Sequence, residues 1–386
     1  MTREDITDYF PTKLATGKAF CNRQNEIKFI NENINKCRHI VIYSPRRYGK
    51  SSLVNKIVTD QKLTHAVIDL FLAHDDRMIT KRIMIGISHI ISQILSPTEK
   101  ALKKVQDNFR NFKVSLNIYG FSIESSFVAN ALDRVDQIYE ALTILNLIAK
   151  EKNEKVIIFF DEFQDIVNSE SSKSIQGAIR NVAQSTNNIV FVFSGSYQHM
   201  LAELFDDKSK PLYMLCDKIY LERIFSNEYK KHLNDIAKIK WCNDLDPIVL
   251  AKILNLTEAH AFYMNMLCHV LFGFDNIPTC EDVDLAWNQC QEIESRRIIS
   301  DLQSLSVNQQ DILRLIAIHN PNEPMSNSFT QITAKAQSTT RQCIAVLQKK
   351  DFIYKITRDD PDLLFIKVGH YHILDPLMST ILRKLS

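Results

Sequence analysis

Four short runs constrain this chain more than any other feature: His39-Ile-Val-Ile-Tyr43, Ala66-Val-Ile-Asp-Leu-Phe71, Lys155-Val-Ile-Ile-Phe-Phe160 and Asn188-Ile-Val-Phe-Val-Phe193. Each is apolar on both faces, the pattern of a parallel strand covered by helices on either side. Helical spacing lies between them, as with Leu53, Val54, Ile57 and Val58. The alternation predicts an α/β architecture with a doubly covered sheet. Glycine is scarce, 8 residues in 386, against a usual share of about 7%. Few left-handed turns are therefore available, and the rest of the chain reads as helix-rich. One insert breaks the rhythm. Over 112–125, apolar residues fall at Val114, Leu116, Ile118, Phe121 and Ile123 around Gly120, which predicts a β-hairpin.

Composition excludes several classes. With 45% apolar and 24% charged residues the chain can build cores, and a formal charge of +2 argues against a binder that works by positive charge alone. The start, Met1-Thr-Arg-Glu-Asp-Ile6, has no apolar signal run. Ile79 to Leu95 is apolar but contains Lys81, Arg82, Ser88 and His89, so it reads as a buried helix and no membrane association is expected. The eight cysteines form no C-x-x-C pair and none sits at zinc-site spacing from a histidine. Reduced thiols point to a cytoplasmic protein. Gly369-His370-Tyr371-His372 reads as surface histidines.

Chemistry concentrates after the first and third runs. Ser44-Pro45-Arg46-Arg47-Tyr48-Gly49-Lys50-Ser51-Ser52 fits G-x-x-x-x-G-K-[ST], with Ser44 in place of the first glycine. A Gly-Lys-[Ser/Thr] triplet alone is expected on the order of 0.05 times in such a chain. Its place between a strand run and a helical pattern is the setting a phosphate loop requires. There, backbone N–H groups converge on phosphate, Lys50 reaches the β- and γ-phosphates, and the Ser51 hydroxyl ligates Mg²⁺. The third run ends in Asp161-Glu162-Phe163-Gln164, a Walker B pattern in which Asp161 holds Mg²⁺ and Glu162 activates water. The fourth ends in Ser194-Gly195-Ser196, where Ser194 or Ser196 is placed to sense the γ-phosphate; Ser196 is the one taken as a catalytic candidate with Lys50 and Glu162.

These segments resemble the archaeal-type ATPases of the STAND class, relatives of AAA+ proteins. The likeness runs through most of the chain. It includes the box Phe20-Cys-Asn-Arg23-Gln-Asn-Glu26-Ile27, the loop Ser44 to Ser51, Asp161-Glu-Phe-Gln164, Ser194-Gly-Ser196, Lys210-Pro-Leu-Tyr213 and Thr257 to Cys268. The resemblance implies an ASCE/AAA+-type P-loop sheet, an all-helical lid and a C-terminal winged helix. It also places the box holding Arg23 beside the adenine. The family often has an arginine soon after Pro-Leu-Tyr; Met214 and Leu215 follow here, leaving Arg223 or an arginine of another segment as a stand-in. Ala259 and Ala261 flank His260 where family members carry Gly and Pro.

The C-terminal zone supports the winged helix independently. A helix is predicted over 307–319, with Ile312, Leu315 and Ile316 on one face. Another is predicted over 338–350, with Thr340, Ile344 and Leu347 inward and Arg341, Ala345 and Gln348 outward. Strands at 352–356 and 363–368 flank the acidic turn Arg358-Asp-Asp-Pro-Asp362. Residues 301–386 hold six Lys and four Arg against seven Asp and one Glu, a net of +2, so the zone suits a protein partner as well as double-stranded DNA.

The expected organisation is a P-loop core over 1–225, a lid over 226–300 and a winged helix over 301–386. The expected function is a switch that binds Mg-ATP between core and lid and hydrolyses it slowly. The alternative is a module that holds nucleotide without hydrolysis while its winged helix docks DNA or a protein. Self-association is compatible with either. A P-loop kinase ranks below both, since an Asp-Glu pair on a strand end suits water activation.

Overall fold

The computed structural model describes residues 3–11, 13–95, 116–118, 121–123, 134–364 and 366–384. The chain divides into two compact units, one of residues 24–46 and 53–221, the other of residues 1–23, 47–52 and 222–386.

The first unit is built on five parallel strands: β1 (Ile40–Tyr43), β2 (Thr64–Asp69), β5 (Val156–Asp161), β6 (Ile189–Gly195) and β7 (Asp217–Tyr220). Their order is β2-β5-β6-β1-β7. A hairpin of β3 (Leu116–Ile118) and β4 (Phe121–Ile123) pairs Ile118 with Phe121. It lies where period-two spacing predicted one; the rest of 112–125 lies outside the described residues. Strands β1, β5 and β6 are buried along almost their whole length because helices cover both faces. Asp69 to Asp161 and Tyr43 to Gly195 are matched register pairs, so the strand ends line up along one edge.

Helices α2 (Gln24–Asn35), α3 (Lys50–Asp60), α4 (Asp76–Ile94), α5 (Arg134–Lys152), α6 (Ser172–Ser185) and α7 (Gln198–Asp206) accompany the sheet. The Ile79–Leu95 run is indeed a buried helix, and no described helix is long and apolar enough to cross a membrane. Asp75 caps α4 by accepting from Met78 N at 2.7 Å. One face of the sheet packs its aromatic rings together: Phe193 lies 4.7 Å from Phe163, 5.0 Å from Phe205 and 5.5 Å from Phe160. This pile fixes the carboxyl ends of β5 and β6, and truncating one such ring costs about 3–5 kcal/mol. Strand β7 was not foreseen; of its four residues only Ile219 is buried, so it lacks the apolar run that marks its neighbours.

The second unit is mostly helical. It holds α1 (Arg3–Tyr9), α8 (Ser226–Trp241), α9 (Pro247–Thr257), α10 (Ala261–Leu271) and α11 (Cys280–Gln303). There follow α12 (Val307–His319), α13 (Asn327–Thr333), α14 (Gln337–Lys349), β8 (Ile353–Lys355), β9 (Tyr371–Ile373) and α15 (Pro376–Lys384). One hydrophobic core runs from Tyr229 on α8 to Leu382 on α15. Capping boxes at Thr279/Asp282 and Ser306/Gln309 start α11 and α12.

Two sequence expectations need correction here. The second strand of the C-terminal pair is Tyr371–Ile373, not 363–368. Leu363 and Ile366 are instead buried anchors of a loop, and an apolar stretch alone does not separate the two. Nor is His372 a surface residue: it is fully buried on β9. Helix α14 matches its expectation, with Thr340, Ile344 and Leu347 buried and Arg341, Ala345 and Gln348 exposed.

Candidate functional site

In the sheet unit, the end of β5 leads straight into the acidic pair. Asp161 is the last residue of the strand, and Glu162 follows in a left-handed conformation, φ +49°. That turn starts a 3-10 segment, Phe163–Asn168, which buries Phe163 and Gln164. Both acids are partly exposed, and both meet the end of β6. Ser194 Oγ donates to Asp161 Oδ1 at 2.6 Å, and the Glu162 backbone N–H donates to the same oxygen at 3.1 Å. Ser196 engages the other acid: its hydroxyl donates to Glu162 Oε1 and its N–H to Oε2 at 3.0 Å. The two serine candidates therefore divide the acids between them. Oriented carboxylate and hydroxyl oxygens are the hard donors that Mg²⁺ prefers, so this donor set fits that ion.

Ser44 and Pro45 leave β1 at the same edge, where Tyr43 is in register with Gly195 of β6. Ser44 is fully buried, and its hydroxyl donates to the Pro45 carbonyl at 3.0 Å. Arg46 turns back onto the residue after Ser196, donating to the Tyr197 hydroxyl at 2.9 Å with its guanidinium 4.7 Å from that ring centroid. Arg180 on α6 donates to the carbonyls of Pro211 and Tyr213, which explains the Lys-Pro-Leu-Tyr segment as a braced turn.

Arg47 to Ser52 group with the helical unit. Gly49 has φ +90°, and a side chain there would be strained whatever the space. Arg47 is also left-handed at φ +65°. It is held by Glu294 of α11 at 2.9 Å and lies 4.0 Å over the Phe262 ring of α10. Lys50 and Ser51 open α3, whose N-terminal N–H groups suit an anion. Lys50 is buried, Ser51 half-buried, and Ser52 Oγ accepts from the Ala15 N–H at 3.0 Å. Arg23 is buried with φ +73°, and it donates to the Tyr48 carbonyl at 3.1 Å. Its guanidinium thus braces the phosphate loop, a role that the box's expected place beside adenine did not anticipate.

Tyr48 joins a buried charged group. Arg223 donates to Glu258 Oε2 at 2.5 Å, to the Glu258 and Leu374 carbonyls at 3.0 and 2.9 Å, and to the Tyr48 hydroxyl at 3.2 Å. Four of its five N–H groups are engaged inside the unit. The expectation that Arg223 replaces the missing arginine is therefore corrected: its guanidinium serves Glu258. His372 sits 2.7 Å from the other Glu258 oxygen. Burial pushes the Glu258 carboxyl up, but His372 and Arg223 outweigh it and hold it at about 2. His260, packed 4.8 Å from the Tyr48 ring, is pushed well below the usual histidine range, first by burial and then by Arg223. Glu258 and Ala259 both take left-handed backbone, which turns the chain into α10 without the family's Gly.

The acidic C-terminal turn is also engaged internally. Asp360 is buried and accepts from Ser226 N at 2.9 Å, Asp362 pairs with Lys230 at 2.6 Å, and Arg358 lies 3.6 Å over Phe225. Asp360 and Asp362 thus cap and anchor α8.

Sequence reasoning missed Gln164, Tyr197, Glu294 and Glu258. Gln164 stood in a quoted motif, and its place two residues after Glu162 was the available signal. The others depend on contacts far apart in sequence.

No curated protein matches the chain in sequence. Among solved structures, the Walker-type ATPase PABY2304 of Pyrococcus abyssi aligns with a TM-score of 0.68 at 17% identity, over 96% of this chain and 98% of that one. The ORC2 protein of Aeropyrum pernix, in its ADPNP-ADP complexes, aligns with a TM-score of 0.55 at 14% identity, over 94% of this chain and 92% of that one. At such identities the likeness shows a common fold. The family profile of the ATPase domain found predominantly in Archaea matches residues 20–238, more than half of the chain, and the chain therefore belongs to that family.

Proposed function

We propose that this protein is a slow Mg-ATP switch of the STAND type. The reading rests on one observation above all. Asp161 at the end of β5 and Glu162 just after it are each oriented by a serine, Ser194 of β6 and Ser196 just beyond it, at the sheet edge where the phosphate loop begins. Family membership and the ADPNP-ADP complexes of the structurally similar ORC2 protein support it.

In this reading the loop Ser44 to Ser52 wraps the phosphates with its backbone N–H groups, and Gly49 allows the close wrap. Lys50 neutralises the β- and γ-phosphates. Ser51 and Asp161 hold Mg²⁺, which supplies charge neutralisation at the phosphate oxygens when bound. Glu162 takes a proton from the attacking water. Arg46 and Arg47 add positive charge beside the loop. Residues 226–300 act as the lid and 301–386 as a winged helix, with Arg223, Glu258 and His372 tying the two together. The eight free cysteines suit a cytoplasmic location.

The winged helix docks a partner through α14. Its exposed residues Gln337, Ser338, Arg341, Gln342, Gln348 and Lys349 include no acid, and Ala345 among them allows close approach. Beside them lies a groove of about 470 Å³ whose lining adds Lys355, Tyr371 and one acid, Glu323. Duplex DNA and a protein surface both fit this face, and self-association is open to the same test by sedimentation.

A second reading, nucleotide binding without turnover, is favoured by the engagement of Arg223, because an arginine finger contributes about 10³–10⁵ in rate. Mg-dependent phosphate release, compared between the parent protein and Lys50→Ala, separates the two. Turnover lost with Lys50 supports the switch, and tight ATP binding with no release in the parent supports the module.

A further inference from the structure

Gln164 carries a set of features that the proposed reaction does not use. It is buried, two residues past Glu162. Its amide N–H₂ donates to Glu162 Oε2 at 2.8 Å and to Asp165 Oδ1 at 3.2 Å. Its own Oε1 is buried with no hydrogen-bond partner. That oxygen lies against β6: a Cβ added at Gly195 would stand 2.0 Å from it. So Gly195, between Ser194 and Ser196 at the end of β6, provides the space that Gln164 occupies. A buried acceptor without a donor is unfavourable, and something must offset it.

What offsets it is the grip on Glu162. A carboxylate offers about four lone-pair sites. Here the Ser196 hydroxyl, the Ser196 N–H and the Gln164 amide take three of them. The residue that is gripped sits in left-handed backbone, which a glutamate adopts only when its surroundings impose it. A carboxylate surrounded in this way has little capacity left to accept a proton from water.

We infer that Gln164 is a positioning residue that, with Ser196, parks the Glu162 carboxylate against the end of β6, so that hydrolysis waits on its release. The inference rests on the proposed role of Glu162 as the base. Parking accounts for the strained backbone, the unpartnered amide oxygen and the glycine gap together. It also assigns the last residue of Asp161-Glu-Phe-Gln164 a task.

The test is steady-state ATP turnover and ATP affinity, measured on the full chain for the parent, Gln164→Leu, Gly195→Ala and their combination. Leucine keeps the buried volume and removes the amide. The added methyl at 195 pushes the amide aside by a separate route. The expected result is a kcat about 10-fold higher in Gln164→Leu, the shift expected for losing one hydrogen bond to a charged group, with ATP affinity unchanged. Gly195→Ala gives a similar rise, the combination gives no more than either, and Glu162→Gln in the Gln164→Leu background abolishes the gain. General damage to the fold would lower the rate instead. A parent that turns over while Gln164→Leu leaves kcat unchanged or lower, with affinity retained, overturns the parking role alone. Absence of turnover in every variant with ATP still bound overturns the hydrolysis reading, and the parking role with it.

Discussion

Two groups of charge in this molecule are built alike and differ in what they serve. At the end of β5, Asp161 and Glu162 are partly exposed, and each accepts from a serine at the end of β6 or just past it. In the helical unit, Arg223, Glu258 and His372 are buried and satisfy one another. Hydroxyl donors orient the first pair at the end of the sheet, and both carboxylates keep part of their surface open to solvent. The second group is neutralised from within, and its energy goes into holding Tyr48, α10 and β9 together. A perturbed charge therefore marks a reaction site only where a ligand can reach it. The comparison also separates the two arginines near the phosphate loop from Arg223: Arg46 and Arg47 remain substantially exposed, whereas Arg223 is locked away.

The sharpest way to break this contrast is Glu162→Gln. Turnover is expected to fall about 10²–10⁴-fold, the usual worth of a positioned general base, while ATP affinity and thermal stability stay close to the parent. A comparable loss of stability would put the acid pair in the structural class. Next comes Glu258→Gln, which leaves Arg223 buried beside a neutral partner. Breaking a buried pair from one side costs about 3–5 kcal/mol, read as a lower midpoint in urea. Unchanged stability would mean that the buried group is not a structural tie.

The same tie has a pH signature. The folded Glu258 carboxyl sits at about 2 against an ordinary 4.5, so its contribution is present above about 4.5 and is lost as pH falls through that interval toward 2. A loss of order 3 kcal/mol follows from the size of the gap. Urea midpoints between pH 6 and pH 3 are expected to fall more steeply in the parent than in Glu258→Gln. Equal slopes would contradict the assignment. The smallest expected effect lies on α14. If the partner is a duplex, Arg341→Ala lowers the salt dependence of binding by about one unit of slope and leaves turnover unchanged. A slope already near zero in the parent points to a protein partner.

Local chemistry was legible in the sequence, and long-range chemistry was not. Gly49-Lys50-Ser51 and Asp161-Glu162 announce themselves because strand, turn and functional side chain are neighbours along the chain. Helices α12 and α14 were readable from their spacing for the same reason. Strand β9 was misplaced because Leu363 and Ile366 look like strand residues yet serve as loop anchors, while Tyr371–Ile373 is too short to stand out. His372 was misread because its partner, Glu258, lies more than a hundred residues away. The anchoring of Asp360 and Asp362 was not visible because their partners, Ser226 and Lys230, lie far away along the chain. Gln164 was visible in its motif, but its task depends on Gly195, which ends another strand, and on Ser196 just after it.

The most direct measurement is the identity of the nucleotide that stays with the protein through native purification, compared among the parent, Lys50→Ala and Glu162→Gln. The account expects ATP in Glu162→Gln, mainly ADP in the parent and no nucleotide in Lys50→Ala. ATP held equally well by Lys50→Ala and by the parent would contradict the assignment of the phosphate loop, and with it the central claim.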